Sequence, residues 1–189
     1  MHRFTTTALR LQRRNFLANM WSRMLLPVWN SVDRGRIKEV GADRAAAEWL
    51  LKNGAHVRYA GHSDRLRDFN QVGMAGRSRI EEIYACEASI TAQGFPYLEG
   101  LSELRRLSLI RCPHIGDSAM YQLKEYAQGL VELHLESLPE FTQSGLQLVA
   151  NISSLEKLTL RDLPSLEKSG QVKDVVYKSL KHCQIEWNP

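Results

Sequence analysis

Apolar residues recur along this chain in one figure: leucine, two variable positions, leucine, one variable position, leucine. It reads Leu104-x-x-Leu107-x-Leu109, Leu130-x-x-Leu133-x-Leu135 and Leu155-x-x-Leu158-x-Leu160, with weaker copies at Ile80-x-x-Ile83-x-Ala85 and Leu180-x-x-Cys183-x-Ile185. Successive central positions 83, 107, 133, 158 and 183 lie 24, 26, 25 and 25 residues apart, the period of a leucine-rich repeat. The last two apolar residues alternate at period two and predict a short strand with both side chains inward, while the first belongs to the preceding turn. Between the strands, Met120, Leu123 and Tyr126 stripe a return helix over Ser118 to Tyr126, and Leu146, Val149 and Ala150 stripe another over Gln143 to Ala150. No single unit can bury its apolar face alone. The expected fold is therefore an α/β leucine-rich-repeat solenoid of four to five repeats over 80–189.

Residues 28–79 do not follow the figure. Asp43 is predicted to cap a helix running from Arg44 to Asn53, with Gly54 as its stop signal. Val28, Trp29, Val32 and Ile37 suggest a further helical or apolar piece, and 61–79 reads as a loop anchored by Phe69. An open stack exposes the edge of its first strand, so 28–79 is assigned as an N-terminal helical cap over that edge.

Charge changes the picture at the start of the chain. The formal net charge is +4, but residues 1–32 carry Arg3, Arg10, Arg13, Arg14 and Arg23 with no Asp or Glu; removing that +5 leaves −1 for the rest. The basic balance thus belongs to the leader and does not mark a nucleic-acid surface. With Thr5, Thr6 and Thr7 and with Phe4, Ala8 and Leu11 at spacings of four and three, 1–27 has the acid-free amphipathic pattern of a mitochondrial presequence.

The chemistry-bearing residues are dispersed. Cys86, Cys112 and Cys183 form no CxxC pair and no zinc spacing, and Cys112 is expected to fill a small buried slot after its strand. The sequence contains no phosphate-cradling loop, HExxH or GxSxG, and the expectation is a non-enzyme that works by binding. His134 lies between two inward leucines and so points outward. With Glu132, Glu156, Thr159 and Arg161 it should line the open strand face, either as solvated surface or as a protein-binding row. Arg44, Trp49, Arg58 and Tyr59 in the cap are the residue types of interface hot spots, although Trp49 suits the core equally well.

The segment from Val32 to Tyr59, together with Gly94-Phe95, Leu98-Glu99-Gly100-Leu101 and Asp162-Leu163-Pro164, closely resembles the mitochondrial ATP synthase subunit s (coupling factor B) family. The resemblance implies a peripheral protein on the matrix side of the inner membrane that binds ATP synthase membrane-sector subunits and supports coupled proton transport. The distal membrane-arm assembly components are similar too, which implies as an alternative an assembly factor for respiratory complex I intermediates. The family resemblance also implies a magnesium ion held near backbone groups at positions matching Gly54 and Cys86, where family members carry Thr in place of Cys86. Of two close cysteines treated as a functional dithiol in mammalian members, Cys112 matches one and Ile110 the other, so this chain cannot form that pair.

Overall fold

The computed structural model describes residues 25–76, 78–166 and 170–188; the presequence assigned to 1–27 lies almost wholly outside them. In chain order the elements are α1 (Arg34–Val40), α2 (Ala42–Lys52), β1 (His56–Tyr59), β2 (Ile80–Cys86), β3 (Arg106–Ile110), α3 (Asp117–Tyr126), β4 (Glu132–Glu136), α4 (Gln143–Val149), β5 (Lys157–Arg161), α5 (Gly170–Ser179) and β6 (Gln184–Asn188). Three 3-10 segments, Phe69–Ala75, Ala92–Leu98 and Pro164–Leu166, complete them.

The strands form one mixed sheet in sequential order, with β1 antiparallel to β2 and every later pair parallel. Ile83, Leu107, Leu133, Leu158 and Ile185 stand side by side across β2 to β6. The last register differs from the expected one, since Ile185 and not Cys183 occupies the central apolar position. The final step is therefore 27 residues (185 minus 158), and Cys183 lies before the strand. A small thiol mimics an inward leucine in a sequence pattern, and only strand pairing separates the two.

Inward residues of the strands meet those of the helices in one continuous core, in which Leu109, Leu123, Leu135, Leu146, Leu158 and Leu160 are fully buried. Each strand from β2 to β5 ends in the same corner. Glu87, Arg111, Ser137 and Asp162 have φ of 56°, 48°, 51° and 46°, in the left-handed region that L-residues rarely occupy. Their N–H groups donate to the carbonyls of Ile110, Glu136, Arg161 and Asn188, the last residue of each following strand.

The edge of β2 is covered by β1, behind which α2 packs with Ala45, Ala46, Trp49 and Leu50 in the core. Asp43 does not cap α2; Gly41, with φ 88°, holds that position. The Asp43 carboxylate instead accepts from the Ile80 N–H at 2.8 Å and from Arg79 at 3.0 Å, tying the first turn of α2 to the start of β2. Asp33 caps α1, accepting from the Arg36 N–H at its start. Within 61–79, Val72 at 3% exposure is the anchor; Phe69 is 40% exposed, with the Lys52 ammonium over its ring.

Asn30, fully buried, joins the helical turn at 25–29 to this layer. Its amide nitrogen donates to the Leu26 and Ser89 carbonyls, and its oxygen accepts from the Trp49 indole N–H and the Thr91 N–H. All four hydrogen-bonding capacities of that amide are thereby engaged by 2.9 to 3.1 Å contacts, the condition under which a polar side chain is stable in a core.

Candidate functional site

The sheet has a helix-covered side and an open side, and side chains alternate between them. On the open side one row runs Arg58, Glu82, Arg106, Glu132, Lys157, Gln184 across β1 to β6. Charge alternates along its first five positions. A second row reads His56, Tyr84, Ser108, His134, Thr159, Glu186, and a third reads Cys86, Ile110, Glu136, Arg161, Asn188.

A β-bulge adds a second carboxylate to the first row. Arg58 pairs with Glu82 while Tyr59 pairs with Ile80, so Glu81 is an extra residue on β2 that opposes no residue of β1. Arg58 donates to Glu81 at 2.8 Å and to Glu82 at 2.9 Å, and its side chain is only 13% exposed. Arg106 donates to Glu81 at 2.8 Å, and Arg65, reaching over from 61–68, binds Glu82 while its guanidinium lies 4.2 Å from the Tyr84 ring centre. The Arg58 hydrogen bond draws the Glu81 carboxyl below its ordinary pKa. Burial pushes that of Glu82 up, but the bonds from Arg65 and Arg58 outweigh it and leave it lowered as well. Both carry negative charge at neutral pH.

Between these groups lies a cleft of about 350 Å³ lined by Arg65, Glu82, Arg106, Ser108, Glu132, His134, Lys157 and Thr159. Lys157 and Arg161 approach Glu186 at 2.9 and 3.5 Å, and the His134 ring lies 3.0 Å from Glu136. Such a surface, with alternating signs fixed by a rigid sheet, can recognise a partner by charge register.

The expected site residues divide into three places. Arg58, His134 and Arg161 are on the open face; Arg161 is half-exposed, whereas Arg58 is locked by its two carboxylates. Arg44 lies on α2 behind the sheet, 40% exposed and 3.2 Å from Glu48. Trp49 and Tyr59 are buried at 3% and 6% exposure, packed within the core. Burial raises the Tyr59 phenol to about 12. Thr159 keeps its place in the expected row but is 6% exposed, its hydroxyl donating to Glu186 at 3.3 Å, and Lys157 holds the face position expected of Glu156.

Gly54 ends α2 with φ 84°, and its neighbour Asn53 accepts from the Ser89 N–H, which brings the segment after Cys86 alongside. The donor set there is a poor match to magnesium. Gly54 offers main chain alone, the Cys86 sulfur is soft and accepts from the Arg111 guanidinium at 3.4 Å, and the nearby Glu87 carboxylate is held by the same arginine at 2.8 Å. The positive Arg111 guanidinium thus lies against both the sulfur and the carboxylate.

Arg65, Glu81, Glu82 and Arg106 were not among the residues expected from sequence. Superposing the repeats would have exposed Arg106, Glu132 and Lys157 as one row; the bulge and the antiparallel β1 have no signature in the repeat figure. Among the described residues no helix is long and apolar enough to cross a membrane, and no three His, Cys, Asp or Glu side chains gather as metal ligands.

No family model matches the chain. ATP synthase subunit s, mitochondrial, of Rattus norvegicus is 37% identical over 166 residues, covering 85% of this chain and 83% of that protein. The proteins of the same name from Homo sapiens and Bos taurus are 34% and 32% identical over 164 residues, each covering 84% of this chain and 82% of their own. Identity at that level along most of both chains, spanning the β1–β2 junction and the repeated strands alike, establishes that this chain belongs to the mitochondrial ATP synthase subunit s family.

Proposed function

We propose that the protein is a non-catalytic accessory component of mitochondrial ATP synthase that binds the membrane sector from the matrix side of the inner membrane and supports coupled proton transport. Family membership supports the accessory role, because the relatives, matched over 85% and 84% of this chain, are named as a subunit of that complex. The architecture is read as a short leucine-rich-repeat solenoid over 80–189, capped by 28–79 and preceded by a presequence at 1–27. The 24- to 27-residue strand spacing and the sequential parallel order support it.

The open face is the proposed docking surface, with His134, Glu136 and Arg161 at its accessible rim and the Arg58 cluster holding the strands in register beneath. Arg44 on α2 would serve a second contact. The test is to tag the C-terminus, solubilise mitochondria gently and identify what co-migrates on native electrophoresis. ATP synthase subunits at constant stoichiometry, lost on Arg161→Glu, are expected. Association with complex I intermediates alone would overturn the reading.

A further inference from the structure

The two edges of the sheet are finished differently. At the β1 edge Leu66 pairs with Val57 and α2 packs behind the strand, whereas β6 has no strand on its far side among the described residues. Gln184 donates its N–H to Glu156, and Asn188 accepts from Asp162, so the even-numbered residues of β6 turn their main chain toward β5. Alternation turns the N–H and C=O of Ile185 and Trp187 the other way, toward the open edge.

The side chains of those two residues are equally unfinished. Their register partners Leu158 and Leu160 are fully buried, while Ile185 and Trp187 are only partly covered. Beside them on α5, Tyr177 is 44% exposed and Lys173 lies 5.4 Å from the Trp187 ring centre. A short run of main-chain donors and acceptors backed by half-covered apolar groups is the surface that β-strand addition uses, and main chain at strand spacing satisfies all of it.

A second copy of this chain fits poorly. Antiparallel self-pairing that uses all four open main-chain groups must set Ile185 against Trp187 and Trp187 against Ile185, which places Glu186 against its own image in the closely spaced, non-hydrogen-bonded position. Like charges directly opposite are destabilising. A strand with a cation at that point meets the opposite situation, since Glu186, approached by Lys157 and Arg161 from β5, is still 36% exposed and faces the open side.

We propose that the β6 edge docks an extended segment of another protein, with apolar side chains that cover Ile185 and Trp187 and a Lys or Arg opposite Glu186. The site shares Glu186 with the end of the charged face invoked above, but it is read by protection of the Ile185 and Trp187 amides and not by co-migration with ATP synthase, so either can fail without the other.

The probe is a cyclic β-hairpin peptide whose outer strand reads Thr-Val-Lys-Val-Thr, added to the full-length chain, with Thr-Val-Glu-Val-Thr as its counterpart. Amide exchange at Ile185 and Trp187 is read by NMR. We expect the Lys-centred peptide to slow exchange at both amides by about tenfold at saturation, and the Glu-centred peptide to do so far less. Glu186→Lys should invert that preference; because the peptide pair already discriminates on the unaltered protein, the result does not depend on that variant folding. Three outcomes overturn the proposal: both amides already protected in the dilute monomer, which would assign the edge to a segment of this chain; protection that rises with protein concentration together with a dimer in sedimentation; or no protection by either peptide.

Discussion

Trp49 is fixed from three directions. Tyr97 stacks on its ring at 5.4 Å, Phe95 meets it edge-on at 6.4 Å, and Asn30 takes its indole N–H at 3.1 Å. Gly94 passes so close that an added Cβ would come within 2.3 Å of the ring. Trp49→Ala should therefore destabilise the protein by about 3–5 kcal/mol, because it opens a cavity among side chains that cannot collapse and leaves Asn30 short of a donor; chemical denaturation measures it, and an unchanged midpoint would refute the packing role. The ambiguity of Trp49 in the sequence has a physical origin, since the properties that suit tryptophan to a core suit it to an interface. The thiols give a second prediction at this scale. Cys112 is fully buried, with burial pushing its pKa up and its sulfur 3.5 Å from the Ala85 and Ile110 carbonyls. Cys86 and Cys183 are half-buried. An aromatic disulfide reagent should titrate two thiols in the native protein and the third only on unfolding.

At the scale of elements, the join between α2 and β2 rests on Asp43. Its carboxylate is the partner of the Ile80 N–H, which is otherwise enclosed at the beginning of a fully buried residue. Asp43→Ala orphans that donor and is expected to cost about 1–3 kcal/mol, whereas Arg79→Ala, which removes an ion pair whose arginine is 56% exposed, should cost well under that. Thermal melts of the two variants side by side decide it. Asp43 reads in sequence as a helix cap because Asp before a helical run usually is one; here Gly41 takes the cap and frees the carboxylate for a contact 37 residues away. The strands and return helices were legible because leucine periodicity is a local property. The 27-residue final step, the 3-10 segment at Phe69–Ala75 and the pairing of β1 with β2 were not, because each is decided by what the segment packs against.

Across the whole molecule, the charged face and the ion pairs between α1 and α2 make stability depend on acid. Glu81 is lowered chiefly by Arg58, Glu82 by Arg65 and Arg58 against its burial, and Glu48 chiefly by Arg36. A carboxylate whose folded pKa is depressed binds fewer protons in the native state, so its contribution is complete above the unfolded value of about 4.3 and disappears as pH falls through the folded value. The melting temperature should hold steady near neutrality and drop below about pH 4.5. In Glu81→Gln/Glu82→Gln it should start lower and fall less steeply; a parallel curve would show the two carboxylates to be uncoupled from folding. Half of this cluster was open to inspection in the sequence, since Arg58 stands out by type and the Arg106, Glu132 and Lys157 positions repeat. Its other half depends on one bulge that turns Glu81 and Glu82 to the same arginine.

The left-handed corners at Glu87, Arg111, Ser137 and Asp162 are interchangeable joints, and the alternation of charge beside them imposes a parity on chain length. Excising Cys112 to Ser137 would splice one corner onto the next and set β3 directly against β5, with Arg106 opposite Lys157. Excising the β3 and β4 units together would set Glu82 opposite Lys157 and restore the sequence of signs. The single deletion should thus be the less stable per residue and should gain from added salt, which screens the repulsion, while the double deletion loses by it. A protein of this construction can lengthen or shorten by even steps far more readily than by odd ones.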